Sequence, residues 1–521
     1  MTQGGRDLII GIDAGTSVIK SVAFTLTGQQ VAAVAVPNRY TARADGAAYQ
    51  PLAQTWEDCA QTLRELTAQI GAERVAAVAV TAQGDGTWLV GAGNAPVTDG
   101  WLWLDARSAP AVNRLRAQSS DIARFASTGS GLNCCQMGSQ LAHMDDTTPE
   151  MLDRSEVALH CKDWLYLNLT GVRATDPSEA NFTFGNYSSR DYNEDVIAAL
   201  GLSHRRNLLP PIVDGTQTTH PLTAEAAAQT GLLAGTPVSL AYVDVVCTAM
   251  GAGIYTPGQP AGCTIVGSTG MHMRATPQDG VQLNDGRTGY VMVLPVPGYV
   301  AQIQSNMAST LNIDWLLKLA ADLMADMGQT VTHRALVDRI DGWLGATSPA
   351  SILYHPYISE AGERGPIVNS DARAAFNGLS SNHRFPDLLR AVIEGLGYSS
   401  RDCYDTMGDI PAEIRLTGGA VRSKGLRRIM SAALDRPVRA VSREEAGAAG
   451  AAMMAAVAIG AYRDMDACVN DWVLPTLGQA ELPDPHLATL YSDLFPAYRS
   501  LRIAAEPVWA TLAAVQEKKN V

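Results

Sequence analysis

Short apolar runs separated by small or polar residues mark the start of the chain and predict strands joined by turns. Residues 8–12 and 18–24 are apolar and rich in β-branched side chains, which favours two buried strands. The small residues at positions 14–17 predict a tight hairpin turn between them. Residues 29–36 continue the pattern as a third strand, and residues 75–80 predict a further buried strand.

Helical periodicity and additional short runs follow. Apolar residues recur at helical spacing over residues 52–71, and one helix is expected over residues 109–126. The stretch from there to about Pro211 is less regular. Other helices are predicted over residues 247–253, 388–403, 425–434 and 446–459 and in the tail from Leu487, and other strands over residues 88–90, 101–104, 238–241, 263–266, 271–274 and 414–417.

A strand, a small polar turn and a second strand occur twice, over residues 8–25 and again over residues 263–274. The economical explanation is an internal duplication of a nucleotide-binding fold. Proline and glycine break the pattern near residues 254–262, where we place a domain boundary. We therefore predict a first domain over residues 1–254, a second over residues 255–480 and a helical tail over residues 481–521.

Composition indicates a globular chain. Of its 521 residues, 46% are hydrophobic and 17% are charged. The net charge of -13 argues against nucleic-acid binding, which needs a basic surface. The most apolar stretch is too short to span a bilayer, and the N-terminal pattern does not match a signal peptide. The eight cysteines form no C-x-x-C pair, which favours a reducing, cytoplasmic location, and the histidines show no zinc-binding spacing.

The first small-residue turn carries candidate phosphate-binding chemistry. Asp13 ends the first strand, and Gly15, Thr16 and Ser17 follow it. Successive N–H groups in such a turn can bind an anion, and glycine lets a ligand approach the backbone. Asp13 is placed to hold a hydrated Mg²⁺ against phosphate oxygens. The alternative is a hairpin whose Asp13 only caps the turn.

Several separated segments together resemble the FGGY carbohydrate kinase family. The matching pieces, in the family's order, are Asp13 to Ser17 with Lys20, Trp103 to Arg107, residues 162–165, 169–171 and 235–238, Asp244 with residues 251–253, residues 267–270, 362–366 and 418–423, and Glu445 with residues 450–452. The resemblance runs from about Leu8 to Tyr462. It implies an α/β fold of two duplicated ribonuclease H-like domains, as in actin, Hsp70 and sugar kinases, with an interdomain cleft. It also implies ATP and Mg²⁺ as ligands.

The resemblance assigns roles to single residues. Asp244 is expected to be the catalytic base that takes a proton from the acceptor hydroxyl, its alternative role being a helix cap. Asp13 is expected to bind the metal. The expected ATP-binding residues are Gly15, Thr16, Ser17, Lys20, Gly267, Ser268, Thr269, Gly418, Gly419 and Ser423. Alternatively, Lys20 is a solvated strand residue and the glycine pair at 418–419 forms a plain turn. His272 is expected to be structural.

The acceptor pocket is expected in the first domain. Its predicted residues are Gln83, Gly84, Asp85, Trp103, Asp105, Arg107 and Asp244, with Asn133, Cys135 and Gln136 as further candidates. A carboxylate only accepts hydrogen bonds and a polyol presents only hydroxyls, so Asp85 favours an open-chain polyol. Residues 83–88 resemble the erythritol kinases of the family, which makes erythritol the first expected acceptor. Trp103 has the alternative of simple core packing.

Three other functions stay open at this point. A ketopentose kinase, for xylulose or ribulose, belongs to the same class. An actin- or Hsp70-like ATPase that clamps protein partners is a different class, but those proteins lack the Gly-Glu-Arg-x-Pro segment at residues 362–366. A sugar sensor without catalysis is disfavoured because Asp13 and Asp244 are both present. The expected partners are therefore a small polyol or sugar and ATP, with neither nucleic acid nor membrane, and a homodimer is an assembly that the family resemblance allows.

Overall fold

The structure, a computed structural model, describes residues 5–519. We call residues 8–251 the first half and residues 262–519 the second half. The strands of the first half are β1 (Leu8–Ala14), β2 (Val18–Thr25), β3 (Gln30–Pro37), β4 (Thr41–Ala42), β5 (Ala48–Gln50), β6 (Val75–Ala82), β7 (Trp88–Val90), β8 (Gly100–Trp101), β9 (Val157–Leu159), β10 (Gly185–Asn186), β11 (Asp191–Tyr192), β12 (His220–Pro221) and β13 (Pro237–Leu240). Its helices are α1 (Leu52–Ile70), α2 (Ala109–Arg116), α3 (Ser120–Thr128), α4 (Met137–Thr147), α5 (Pro149–Asp153), α6 (Cys161–Thr170), α7 (Pro177–Phe184), α8 (Glu194–Ala199), α9 (Ala224–Thr230) and α10 (Asp244–Gly251).

The second half repeats the mixture of strands and helices. Its strands are β14 (Gly262–Val266), β15 (Gly270–Pro277), β16 (Tyr290–Val293), β17 (Tyr299–Asn306), β18 (Leu353–His355), β19 (Ala375–Asn377), β20 (Ile414–Thr417) and β21 (Val438–Ala440). Its helices are α11 (Thr310–Asp326), α12 (His333–Val337), α13 (Ile340–Gly345), α14 (Phe385–Asp405), α15 (Lys424–Leu434), α16 (Ala446–Ala458), α17 (Met465–Trp472) and α18 (Pro485–Lys519). None of the helices within residues 5–519 combines the length and the hydropathy needed to cross a membrane.

The main sheets of the two halves have the same construction. The first has the order β12-β13-β6-β1-β2-β3, and the second has the order β16-β17-β15-β14-β20-β21. In each, three antiparallel strands in succession are followed by two parallel ones: β3-β2-β1 with β6 and β13, and β17-β15-β14 with β20 and β21. This five-strand match in order and direction confirms the predicted duplication.

Helices α10 and α16 pack against each other, and α16 also packs on β1. A Cβ atom added at Gly251 would lie 2.1 Å from the Ala446 carbonyl oxygen, and one added at Gly450 would lie 2.0 Å from the Cys247 carbonyl oxygen. A Cβ atom at Gly11 of β1 would lie 2.1 Å from the carbonyl oxygen of Ala448. The backbones therefore touch, which only glycine permits at these points. This contact holds an element of the second half against the first sheet and fixes the position of α10.

Two predicted element boundaries in the first half were wrong. Of the expected strand over residues 101–104 only Trp101 lies in a strand, β8 (Gly100–Trp101), because the chain turns where the Asp105 N–H donates to the Leu102 carbonyl at 3.0 Å. The expected helix over residues 109–126 is two helices, α2 and α3. They are separated by a polar segment at residues 117–119, in which serine favours a turn over a continuous helix.

Two further predictions missed helical structure. The stretch to Pro211, expected to be less regular, contains α4 to α8. Helices α6 and α7 are buried on nearly every side, so they lack the one-sided apolar pattern by which surface helices are recognised. The helix expected over residues 247–253 begins three residues earlier, at Asp244. Its first turn is rich in valine, and tertiary packing overrides the low helix propensity of that residue. The domain limits at residues 254 and 480 stay predictions.

Candidate active site

The turn between β1 and β2 joins two groups of predicted site residues. The Gly15 N–H donates to the Val18 carbonyl at 3.0 Å, which closes the turn. The Thr16 hydroxyl donates to Gln83 Oε1 at 2.8 Å and accepts from Trp103 Nε1 at 2.9 Å. One hydroxyl thus connects the predicted phosphate loop to two predicted acceptor residues.

Two acidic residues lie at the base of this turn. Asp13 is the penultimate residue of β1, and Asp244 is the first residue of α10. Burial, and after it the charge of Asp13, raise the pKa of Asp244 well above its usual range. Burial also raises the pKa of Asp13 to about 6, while the ammonium group of Lys20 opposes that rise. Both carboxylates therefore sit where a nearby positive charge would stabilise them.

The backbone around Asp244 is held from two directions. The Val245 N–H donates to Asp244 Oδ1 at 2.6 Å. The Val243 N–H donates to the Ser178 hydroxyl at 3.0 Å, and Ser178 in turn donates to Asp176, the N-cap of α7. Asp244 is thus a rigidly placed carboxylate at a helix N-terminus, and the rotation of its side chain is restricted.

Lys20 faces Asp13 directly across the β1–β2 pair. Its ammonium group forms an ion pair with Glu445, with Nζ 2.9 Å from Oε2, and Glu445 is the residue that precedes α16. The Lys20 side chain is 35% exposed, so it is not a freely solvated strand residue. The ion pair joins the first hairpin to the second half, and whether Lys20 contacts ATP stays a prediction.

The second predicted phosphate loop lies between β14 and β15. The Ser309 N–H donates to the Ser268 carbonyl at 2.7 Å, and the Thr310 N–H donates to the Gly267 carbonyl at 2.9 Å. These bonds attach the loop to the start of α11. His272, just beyond the loop, is buried, bonds to Asn306 at 2.9 Å and has its pKa lowered by burial to about 4. A neutral imidazole with both ring nitrogens hydrogen-bonded fits the expected structural role, which stays a prediction.

A cavity of about 640 Å³ opens beside this loop. Its lining residues, all from the second half, are Val266, Gly267, Ser268, Thr310, Ile313, Asp314, Arg334, Val337, Asp338, Ile340, Asp341, Ile393, Gly419, Ala420, Arg422, Ser423 and Leu426. It brings together four of the predicted ATP-binding residues: Gly267, Ser268, Gly419 and Ser423. A cleft of this volume is large enough for a nucleotide.

Gly418 and Gly419, of which only Gly419 lines this cavity, have different surroundings. A Cβ atom at Gly418 would lie 2.5 Å from the Val266 carbonyl oxygen, and the φ angle there is 103°, so the position requires glycine. A Cβ atom at Gly419 would meet nothing within 4 Å, because that residue faces open space. Ser423 caps α15 and also donates to Asp341. Gly418 therefore shapes the turn and Gly419 leaves room in the cavity.

Asp85 lies in an unusual backbone conformation, with a φ angle of 59°. Its N–H donates to Glu179 Oε1 at 3.2 Å, and the N–H of Gly86 donates to the Cys135 carbonyl at 2.8 Å. Asp85 Oδ1 is buried and has no hydrogen-bond partner within residues 5–519. Burial raises the pKa of this carboxyl group. A buried, unpartnered acceptor in a fixed loop is the arrangement expected of a ligand-binding group.

A buried group of charged residues supports this loop. The Lys162 ammonium is fully buried and lies 2.6 Å from Asp163 Oδ1 and 2.5 Å from Asp176 Oδ2. His160 Nε2 lies 3.5 Å from Glu179 Oε2. We call His160, Lys162, Asp163, Asp176 and Glu179 the α6–α7 charge cluster. The cluster holds Glu179 against the backbone N–H of Asp85. Its Asp176 also binds Ser178, which contacts the backbone next to Asp244.

Asp105 and Arg107, two predicted acceptor residues, bind each other. Arg107 Nη2 lies 2.7 Å from Asp105 Oδ2, which also accepts the Ala48 N–H at 2.9 Å. The Arg107 guanidinium stacks on the Trp101 ring, 3.4 Å from its centroid. These contacts organise the segment that carries Trp103, and a direct contact of either residue with the acceptor stays a prediction.

The sequence analysis assigned no role to two residues of this site, Glu445 and Glu179. Glu445 lies inside a segment that matches the family, so the sequence could have marked it as a site residue. Its pairing with Lys20 could not be predicted in this way. Glu179 carries no local signal, because its contact with Asp85 joins residues far apart in the chain.

Two family models match the chain. The N-terminal domain of the FGGY family of carbohydrate kinases matches residues 8–251, and the C-terminal domain of the same family matches residues 262–459. The chain belongs to the FGGY family of carbohydrate kinases. The predicted family, the enzyme class of carbohydrate kinase and the duplicated actin-like fold are confirmed.

This FGGY kinase is similar to known relatives over nearly its whole length. It is 61% identical over 510 residues to the erythritol kinase of Brucella abortus (strain 2308), covering 98% of each chain. It is 26% identical over 508 residues to the xylulose kinase of Escherichia coli (strain K12), covering 96% of this chain and 100% of the relative. The crystal structure of ligand-bound xylulose kinase from Lactobacillus acidophilus superimposes with a TM-score of 0.87 at 20% identity, covering 97% and 99% of the two chains, which shows the shared fold.

Proposed function

We propose that this FGGY kinase transfers the terminal phosphoryl group of ATP to a hydroxyl of a small open-chain polyol, with erythritol as the first candidate. The observation that carries this proposal is the 61% identity to an erythritol kinase over 98% of both chains. The Gln83–Asp85 turn beside Thr16 supports it, since Asp85 offers an acceptor to a hydroxyl donor. The cavity of about 640 Å³ supports ATP as the donor.

Asp244 has the properties of the general base in this proposal. Its Oδ1 atom accepts the Val245 N–H, which leaves Oδ2 for a substrate hydroxyl. The raised pKa increases the proton affinity of the carboxylate once it is ionised. Phosphoryl transfer depends mainly on alignment and on neutralised phosphate charge, so a rigid base at the boundary between the halves suits it.

The residues present fit a hydrated Mg²⁺. This ion prefers oxygen ligands, keeps several waters and binds proteins through one or two carboxylates together with substrate phosphates. Asp13 and Asp244 repel each other, and Lys20 is shared with Glu445. Within residues 5–519 no group of three or more His, Cys, Asp or Glu side chains could hold a metal by itself. Asp13 would hold the ion, which when bound supplies the positive charge that offsets the phosphates.

The alternatives have less support. A ketopentose kinase rests on the similarity to xylulose kinases, at 26% identity for the Escherichia coli relative against 61% for the erythritol kinase. Membership of a carbohydrate kinase family speaks against an ATPase that clamps proteins. A polyol acceptor is therefore the preferred hypothesis.

An acceptor panel with coupled detection of ADP tests the proposal. Erythritol, threitol, glycerol, D-xylulose and D-ribulose are compared by kcat/KM, with a reaction lacking acceptor as the blank. We expect erythritol to give the highest value. The Asp244→Asn variant should lose turnover by roughly 10²–10⁴-fold, the usual contribution of a general base, while its ATP affinity is retained. A clear preference for a ketose would reject the polyol assignment, and near-normal turnover of Asp244→Asn would reject the base.

A further inference from the structure

Arg364, in the second half, lies in a rigid loop between β18 and β19. Glu363 Oε1 accepts the N–H groups of Met307 and Arg364, both at 2.8 Å. The Asn306 side chain donates to the Gly365 carbonyl at 2.6 Å. These bonds attach the loop to the end of β17, so the direction in which the Arg364 side chain leaves the backbone is fixed.

The guanidinium of Arg364 lies where the two halves meet. Burial lowers its pKa, but Tyr290, Cys135, Glu363 and Asp85 together raise it by more, and Cys135 and Asp85 belong to the first half. Asn133 donates to the Tyr290 hydroxyl at 3.4 Å, which shows that the halves are in contact here. Arg364 Nε is buried and has no hydrogen-bond partner within residues 5–519. A buried donor of this kind is costly unless a ligand satisfies it.

Asp85, in the first half, has an unpartnered acceptor that complements the unpartnered donor of Arg364. Its Oδ1 atom is also buried without a hydrogen-bond partner within the described chain. Burial raises the pKa of the carboxyl group, and a hydrogen bond with the Cys135 thiol and then the charges of His160 and Arg364 oppose that rise. No ion pair joins these two side chains within residues 5–519, so their nitrogen and oxygen atoms are more than 4.0 Å apart. One half thus presents an unpartnered acceptor and the other an unpartnered donor, and a group that can both donate and accept can bond to both.

We propose that Arg364 is an acceptor-binding and specificity-determining residue, which donates to a hydroxyl of the bound polyol while that hydroxyl donates to Asp85. A hydroxyl can make both bonds at once, whereas the carbonyl of a ketose can only accept. The pair therefore selects a hydroxyl over a carbonyl at this position, and it engages the acceptor from both halves. This inference rests on the proposed function for the identity of the acceptor.

Steady-state kinetics of Arg364→Gln and Arg364→Lys test the inference, with Arg373→Gln as the matched control. Arg373 lies in the same half and bonds only to backbone carbonyls within residues 5–519. Loss of a hydrogen bond to a charged group corresponds to a roughly 10–100-fold rise in KM for erythritol in Arg364→Gln. The KM for ATP and the unfolding temperature should match those of Arg373→Gln, and Arg364→Lys should recover part of the loss.

A deoxygenated acceptor separates a direct contact from a structural effect. 1,2,4-Butanetriol and 1,2,3-butanetriol each lack one hydroxyl of a tetritol. For one of them, the wild-type enzyme and Arg364→Gln should differ by less than about twofold, because the hydroxyl bound by Arg364 is already missing. An unchanged acceptor KM in both Arg364 variants, equal losses with every acceptor, or parallel rises in the KM values for ATP and acceptor would overturn the inference.

The outcome for Arg364 is distinguishable from the outcome for the proposed function. If the wild-type enzyme prefers a ketose, the polyol assignment fails, and the Arg364 variants are then measured with that ketose. A raised KM for the ketose would show that Arg364 binds the acceptor although selection of a hydroxyl over a carbonyl is wrong. An unchanged KM would reject Arg364 as well.

Discussion

Acidic side chains of the site occupy surroundings that oppose their ionisation. Asp13, Asp85, Glu179 and Asp244 all have pKa values raised chiefly by burial. Burying an unpaired charge costs free energy, and carboxylates with strongly raised pKa values are typical of functional sites. The same carboxylates that suit proton abstraction and phosphate chemistry therefore lower the stability of the free enzyme.

Asp13→Asn should stabilise the ligand-free protein in a pH-dependent way. The folded pKa of about 6 lies above the ordinary value of 3.8, so the ionised carboxylate destabilises the fold above pH 6, and this cost disappears as the pH falls towards 4. The variant should exceed the wild type by up to ~3 kcal/mol in free energy of unfolding at pH 8, and by little at pH 4. Urea denaturation without nucleotide or Mg²⁺ measures the difference.

Asp99→Asn is the control, since it makes the same substitution at an exposed position. A variant Asp13→Asn that is less stable than the wild type at pH 8, or equally more stable at both pH values, would contradict the assigned surroundings of Asp13.

Helices α10 and α16 show how one element positions another. Both are rich in small residues, and their backbones touch at Gly251 and Gly450. Because α10 begins with Asp244, any increase in the distance between these helices moves the predicted base relative to the first hairpin. The two glycines thus influence the position of Asp244 through helix packing and not through contact with substrate.

Gly450→Ala should destabilise the protein and reduce turnover together. The added Cβ would lie 2.0 Å from the Cys247 carbonyl oxygen, so the helices must separate, at a typical cost of about 1–3 kcal/mol for overpacking. Gly342→Ala is the control, because a Cβ there meets nothing within 4 Å, and it should be neutral or stabilising by about 0.5–1 kcal/mol. Thermal unfolding and kcat are measured for both. A Gly450→Ala variant with wild-type kcat and stability would show that the two helices are not closely packed.

The second half of the molecule contacts the first half at several points. The Phe24 and Trp472 rings lie 5.5 Å apart, and Trp472 Nε1 donates to the Leu26 carbonyl at 3.0 Å. Asp121 Oδ1 accepts from Arg124 Nε at 2.7 Å, and Asp121 Oδ2 forms an ion pair with Arg287 of the second half, whose Nε lies 3.0 Å away. These contacts make the stability of each half depend on the other.

The two halves should consequently unfold in one transition. Differential scanning calorimetry of the wild-type chain is expected to give a single peak whose calorimetric and van't Hoff enthalpies agree. Trp472→Ala, which removes a fully buried ring, should lower the free energy of unfolding by about 3–5 kcal/mol. Two well-separated transitions in the wild type would show that the halves are independent.

Local patterns predicted the parts of the site that local chemistry controls. The first hairpin appears as β1 and β2, and the second turn appears between β14 and β15, because apolar strands and small-residue turns are read from neighbouring residues. Helix α7 was missed, since a helix buried on all sides has no polar face. The contact of Glu179 with Asp85 was also missed, because it joins residues that are 94 positions apart.

The amino-acid sequence by itself determined the order of the strands and turns, the repeated half and the family, because short-range periodicity and ordered motifs carry that information. Only the tertiary structure decided which charges meet: Lys20 with Glu445, Glu179 with Asp85, and Arg364 near Asp85 from the other half. The physical reason is that burial and long-range approach set the electrostatic surroundings of a side chain, and neither is encoded in its immediate neighbours.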